Sequence, residues 1–171
     1  FRMGDFYEMF FEDAKEAARL LGLTLTSRNH GKTSGDIPLA GAPHHAMEGY
    51  VARLIGLGRK VAICEQVEDP KRAKGIVKRD DVEVVSPGTA LSDSMLDQQR
   101  NNFTAAVCAN DDTAGIALVD LSTGDFSVDE IARDLLGDEI ERMAPAELLL
   151  PENSDETLLT HLTTRLPGVA V

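Results

Sequence analysis

Apolar and polar positions along this chain fall into two rhythms, one of helical period and one of strand period. Phe10, Ala14, Ala17 and Leu21, with Phe11 and Ala18 alongside, predict an amphipathic helix over 10–21. Glu12 and Asp13 sit early in it and Arg19 late, as the helix dipole favours, and Gly22 is a natural stop. Met47, Tyr50, Val51, Leu54 and Ile55 make a second stripe at i, i+3, i+4, i+7 and i+8, entered near His45 and ended by Gly56 and Gly58. Short alternating or apolar runs predict strands at 23–27, 37–40, 60–67, 82–86, 103–109, 114–121, 125–127 and 147–150. Gly41-Ala42-Pro43 is expected to turn the chain, Asp69-Pro70 to break it, and Pro87-Gly88 to turn it again. Ser127 and Glu130 fit a capping box opening a helix over about 129–142. Asn153 and Glu156 are expected to cap a last helix with Leu158, Leu159, Leu162 and Leu166 on its apolar side.

Two polar stretches lack periodicity. Residues 28–36 read as a loop, and residues 90–102 as the place where one domain ends. The expected organisation is α/β, with a mixed-sheet domain over 1–90, a linker over 91–102 and a second domain over 103–171. The chain opens in mid-pattern without an initiator methionine, so a fragment beginning inside a strand is expected. No apolar run is long enough to span a membrane.

Charge separates the two parts. The formal net charge is −12, yet residues 1–100 hold 14 basic and 15 acidic side chains, whereas residues 101–171 hold 3 and 14. Nucleic-acid contact is therefore plausible for the first part and implausible for the second. Lys71, Arg72, Lys74, Lys78 and Arg79 are the one basic cluster, either a solvated surface or an edge facing phosphate. Cys64 and Cys108 lie in apolar runs and are expected to be reduced, buried thiols in a cytoplasmic protein.

Four of the chain's eight Phe and Tyr residues fall in residues 1–10, Phe1-Arg2-Met3-Gly4-Asp5-Phe6-Tyr7-Glu8-Met9-Phe10. In a strand Phe6 and Glu8 share one face and Tyr7 points the other way. The simpler reading buries Phe6 in a core and has Glu8 open a helix. The other reading leaves them on an open face, where an aromatic ring can stack on a base or wedge between base steps and a carboxylate can bond a base edge.

Gly4-Asp5-Phe6-Tyr7-Glu8-Met9-Phe10 resembles the mismatch-recognition motif of the MutS family of DNA mismatch-repair proteins. The likeness continues through Leu25-Thr26-Ser27-Arg28, Ile37-Pro38-Leu39-Ala40-Gly41-Ala42-Pro43-His44-His45-Ala46, Val61-Ala62-Ile63-Cys64-Glu65-Gln66-Val67-Glu68-Asp69-Pro70 and Val84-Val85-Ser86-Pro87-Gly88-Thr89. From 101 onward it is weaker. The resemblance implies that Phe6 stacks on a mispaired base from the minor groove and Glu8 hydrogen-bonds it; on separate physical grounds, since nearby phosphates favour the neutral carboxyl, Glu8 is expected to bind in protonated form. It also implies that Arg28 approaches the DNA backbone and that Met3 and Asp5 border the wedge. It implies a second domain that is an incomplete RNase H-like connector, a fold that opens with three antiparallel strands, a helix and a strand. The implied partners are mismatched double-stranded DNA, MutL and a second copy of the parent protein. ATP and Mg are expected to bind elsewhere in that parent, with no cofactor and no enzymatic activity in this chain.

Gly31-Lys32-Thr33 does not complete a P-loop, which needs Gly where Thr26 stands, and Ser34-Gly35-Asp36-Ile37-Pro38 will not start the required helix. A metal-dependent nuclease would carry an acid in the strand at 103–109, and there is none; Asp120 and Asp125 read as solvated residues flanking a turn. His44, His45 and Cys64 lack the spacing of a metal site. The rivals to DNA reading are a small nucleotide-dependent or nuclease α/β enzyme, and a protein-docking module with Phe6 inside and Tyr7 outside.

Overall fold

The computed structural model describes residues 1–28, 36–68, 75, 77–92, 94–96 and 100–171. It divides into two units, Phe1–Leu54 with Val61–Val85, and Ile55–Lys60 with Ser86–Val171.

The first unit contains β1 (Arg2–Met3), β2 (Phe6–Phe10), α1 (Phe11–Leu21), β3 (Thr26–Arg28), β4 (Ile37–Pro43), α2 (Met47–Gly56), β5 (Val61–Gln66) and β6 (Arg79–Val85); the last residues of α2 group with the second unit. Four strands form a sheet in the order β1-β2-β4-β3, and β5 pairs with β6 separately. Every one of these pairs is antiparallel, so the mixed sheet expected here is instead two antiparallel ones. Helix α1 packs on β2 and β4, burying Ala14, Ala17 and Leu21 on its own side and Ala40 and Ala42 on the sheet. Small residues on both sides let helix and sheet approach closely. Gly22 ends α1 at φ 72, where its N–H reaches the Ala18 carbonyl at 3.0 Å. In α2 the stripe buries Val51 and Ile55.

Gly41-Ala42-Pro43 does not turn the chain. It continues β4, because β2 needs a partner along its whole length and pairs Phe6 with Pro43, Tyr7 with Ala42 and Glu8 with Gly41. The strand expected at 23–27 is shifted to Thr26–Arg28 for the same reason, since these residues pair with Leu39, Pro38 and Ile37.

The second unit contains β7 (Phe103–Ala109), β8 (Thr113–Asp120), β9 (Asp125–Ala132), α3 (Leu136–Met143), β10 (Glu147–Leu149) and α4 (Glu156–Arg165). The sheet runs β10-β7-β8-β9, with β10 parallel to β7 and the other pairs antiparallel. One face of it packs Ala105, Val107, Ala114, Ile116, Leu118 and Leu148 against Leu136 and Ile140 of α3 and Leu162 of α4.

The helix expected over 129–142 starts only at Leu136. Residues 125–132 stay extended because all eight pair with β8, Asp125 with Asp120 through Ala132 with Thr113, and that long ladder outweighs the local capping signal of Ser127 and Glu130. The last helix is capped by Asp155, whose carboxylate accepts from the Thr157 N–H at 2.9 Å, and not by Asn153 or Glu156. Cys64 is buried as expected, but Cys108 is exposed, because it alternates to the outward face of β7. By packing, the second unit takes in the chain from Ser86, ahead of the linker expected at 91–102. The buried Glu147 carboxylate explains this: it accepts from Ser86 Oγ at 2.5 Å and the Gly88 N–H at 3.2 Å, and Lys60 Nζ lies 3.2 Å from it. Among the described residues no helix is long and apolar enough to cross a membrane.

Candidate nucleic-acid interface

Residues 4 and 5 form the tight turn that joins β1 to β2 and presents Phe6 at the start of β2. Gly4 takes φ 65 there, a conformation side-chain-bearing residues avoid. Side chains alternate along β2, and residues directly opposite on antiparallel neighbours share a face. Tyr7 and Met9, opposite the buried Ala42 and Ala40, belong to the face covered by α1. Phe6 and Glu8 belong to the other. Phe6 is 48% exposed there, a large ring on the surface rather than the core residue of the simpler reading. Met3 is its partner on one side and Pro43 on the other.

Gly41 lies opposite Glu8. A Cβ at this position would stand 3.6 Å from Glu8 Cγ and 3.9 Å from Cδ1 of Phe6. The missing side chain lets the Glu8 stem and the edge of the Phe6 ring lie close over the Gly41 backbone. Glycine within a strand marks such places of close approach. That signal was present in the sequence, but with Pro43 two residues on it read as a turn.

Arg28 is placed on the same face by its pairing with Ile37, but not beside Phe6. Ile37 and Pro43 are the two ends of β4, so Arg28 stands roughly 20 Å along the sheet from the ring, at about 3.4 Å per residue. Phe6, Glu8 and Met3 thus cluster, and Arg28 forms a separate positive point at the far end. Asp5 is exposed in the turn; its carbonyl accepts from the His44 N–H at 2.9 Å.

Behind this face the Tyr7 hydroxyl donates to Glu65 Oε1. Burial, and then the hydrogen bond to the Glu65 carboxylate, push the Tyr7 phenol above its ordinary 10.0. Lys71, Arg72 and Lys74 of the basic cluster, like Gly31-Lys32-Thr33, lie outside the described residues. Of the two members that are described, Arg79 turns its guanidinium to the protein and Lys78 bonds through its backbone. The Lys78 backbone N–H reaches Glu68 Oε2 at 3.2 Å, and the Arg79 guanidinium donates to the Arg2 and Val77 carbonyls at 2.9 and 3.0 Å.

His44 and His45 place their rings edge to face at 6.0 Å, and among the described residues no group of three or more His, Cys, Asp or Glu could hold a metal. Asp120 is not the solvated turn residue its position suggested. It is fully buried and accepts from the Asn102 N–H at 2.9 Å and from the Ser122 N–H and hydroxyl at 2.9 and 2.6 Å. The Ser122 hydroxyl first, and then the backbone N–H groups, hold its carboxyl below the ordinary 3.8 against the opposing effect of burial. These bonds tie Asp120 into the turn that follows β8, a structural use of an acid on an RNase H-like sheet.

Chemically, this face offers a half-exposed stacking ring with a partly buried carboxylate beside it, whose Oε2 is shielded from solvent. Residues 1–94 match the family model described as MutS domain I, and residues 102–170 match that of MutS domain II. The chain is 51% identical over 151 residues to the DNA mismatch repair protein MutS of Methanothrix thermoacetophila, and 54% identical over 154 residues to that of Syntrophomonas wolfei. Each alignment covers 88% of this chain and 18% of the relative, so the chain spans about a fifth of the length of the curated relatives it matches.

Proposed function

The chain belongs to the MutS family of DNA mismatch-repair proteins, and on that premise we propose that its first unit reads mispaired duplex DNA from the minor groove through Phe6 and Glu8. The observation that carries this reading is the half-exposed Phe6 ring standing on the same face of β2 as Glu8. A protein-docking module with Phe6 inside is disfavoured by the same observation.

The physical logic is deformability. An apolar wedge between base steps costs a few kcal/mol of unstacking and is repaid by a bent duplex that meets more protein. A mispair stacks and pairs less well, so the wedge costs less there than in matched DNA. One site can then accept many mispairs. Stacking on Phe6 contributes about 1–3 kcal/mol. Glu8 bonds the stacked base in protonated form, donating to a ring nitrogen. Met3 and Asp5 border the wedge, and Arg28 meets a phosphate roughly 20 Å away, about six base steps along the duplex. The acidic second unit acts as a connector to the rest of the protein and to MutL. ATP and Mg are bound by the parent dimer outside this chain, which is itself non-catalytic.

The test is DNA affinity of the full-length protein at one stated salt concentration, on a G·T heteroduplex and its matched homoduplex. Phe6→Ala should remove the heteroduplex preference and leave homoduplex binding in place. Unchanged affinities for both duplexes would make Phe6 a bystander. Glu8→Gln should bind nearly as the parent does, whereas equal losses for Glu8→Gln and Glu8→Ala would exclude the protonated form.

A further inference from the structure

The reading face is carried by the β1–β2 hairpin, in which Arg2 pairs with Tyr7 and Met3 with Phe6. Three side chains from β5 and β6 converge on it. Glu65 accepts the Tyr7 hydroxyl with Oε1, and its Oε2 lies 3.5 Å from Arg2 Nη1. Arg2 and Tyr7 are cross-strand partners, so one carboxylate ties both strands at a single register position, next to Phe6. Gln66 Nε2 and Arg79 Nε both donate to the Arg2 carbonyl, at 3.1 and 2.9 Å, and Arg79 Nη2 lies 2.9 Å from Sδ of Met3, the partner of Phe6.

We propose that Glu65 is a positioning residue for mismatch reading: it sets the angle of the β1–β2 hairpin and so of the Phe6 ring, without touching DNA. This rests on the assignment of Phe6 as the wedge. A wedge discriminates only if its ring is held in the inserting orientation before DNA arrives, since ordering it on binding consumes the stacking gain. Tyr7 is the lever, because it alternates to the opposite face from Phe6, and a tie on its hydroxyl fixes the strand without occupying the reading face.

The experiment uses the full-length protein with Glu65→Ala, Glu65→Gln, Tyr7→Phe, Phe6→Ala and the Glu65→Ala/Phe6→Ala double variant. Affinities for the G·T heteroduplex and the matched homoduplex are measured at one salt concentration, with thermal unfolding alongside. Glu65→Ala should cut the heteroduplex preference about tenfold, the worth of one hydrogen bond to a charged group, with homoduplex affinity within about twofold. Glu65→Gln, whose amide oxygen still accepts from Tyr7, should restore most of the preference. In the Phe6→Ala background Glu65→Ala should cost nothing further, as a residue acting through Phe6 requires. Tyr7→Phe, which deletes only the hydroxyl, gives the same readout should Glu65→Ala unfold. An undiminished preference in Glu65→Ala or Tyr7→Phe, or a loss that persists when Phe6 is already removed, overturns the proposal while leaving the Phe6 reading standing. An undiminished preference in Phe6→Ala overturns both.

Discussion

Asp120 should behave as an anchor of the second unit rather than as a catalytic acid. Its side chain is fully buried, with Oδ2 taking the Asn102 N–H at the entry to β7 and Oδ1 taking the Ser122 N–H and hydroxyl in the turn after β8. Hydrogen bonds to a charged group contribute about 1.5–3 kcal/mol each, and three that share one carboxylate do not add in full. Asp120→Ala removes the acceptor of all three bonds, so a loss of about 3–4 kcal/mol is expected. Asp120→Asn keeps one oxygen but sets an NH2 against an N–H donor, and should cost about 1–2 kcal/mol. The pH dependence follows from the depressed folded-state value. The carboxylate's contribution is complete above the ordinary 3.8 and is lost as pH falls through the lower value of the folded protein. Urea denaturation of this chain, followed by circular dichroism at neutral pH and at several points below pH ~4, measures both. Asp120→Asn should be destabilised at neutral pH and show a flatter acid limb than the parent. A loss below about 1 kcal/mol for Asp120→Ala, or an acid limb unchanged in Asp120→Asn, would refute the assignment.

Two further outcomes follow from the same kind of geometry. Gly88→Ala should destabilise the second unit by about 1–3 kcal/mol in denaturant titration, because the new Cβ would drive into Thr104 Oγ1 and stand 2.9 Å from the Glu147 Cβ, in a strand core that cannot yield. Tyr7 should make stability fall at alkaline pH: its folded-state value is raised, so its contribution is complete below the ordinary 10.0 and is lost as pH rises through the folded value. Tyr7→Phe should flatten that limb between about pH 9 and 11, and an identical alkaline limb in the variant would exclude the role assigned to its hydroxyl.

The division of β2 into two faces was legible. Alternation alone put Phe6 and Glu8 on one face and Tyr7 on the other, and the structure keeps that division. Whether the face was open was not legible, because exposure depends on which side α1 covers, a choice made by Ala14, Ala17, Ala40 and Ala42 packing together. Glu65 gave no signal, since it lies 58 residues from the hydroxyl it accepts. Arg28 could be placed after a strand, but its distance from Phe6 follows only from the register of β3 on β4.

Local period and punctuation by themselves determined α1, its stop at Gly22, the apolar stripe of α2 and most strands, because each depends on residues within a turn or two of one another. Tertiary structure decided what local signals contradicted. Gly41-Ala42-Pro43 stays extended because β2 must be paired, and residues 125–132 stay extended because β8 offers an eight-residue ladder. It turned Asp120 from a turn acid into a buried anchor, and joined Ser86 and Gly88 to Glu147, 61 and 59 residues away. A backbone or carboxylate taken out of water must find its partner wherever the fold brings one, and sequence distance does not enter that requirement.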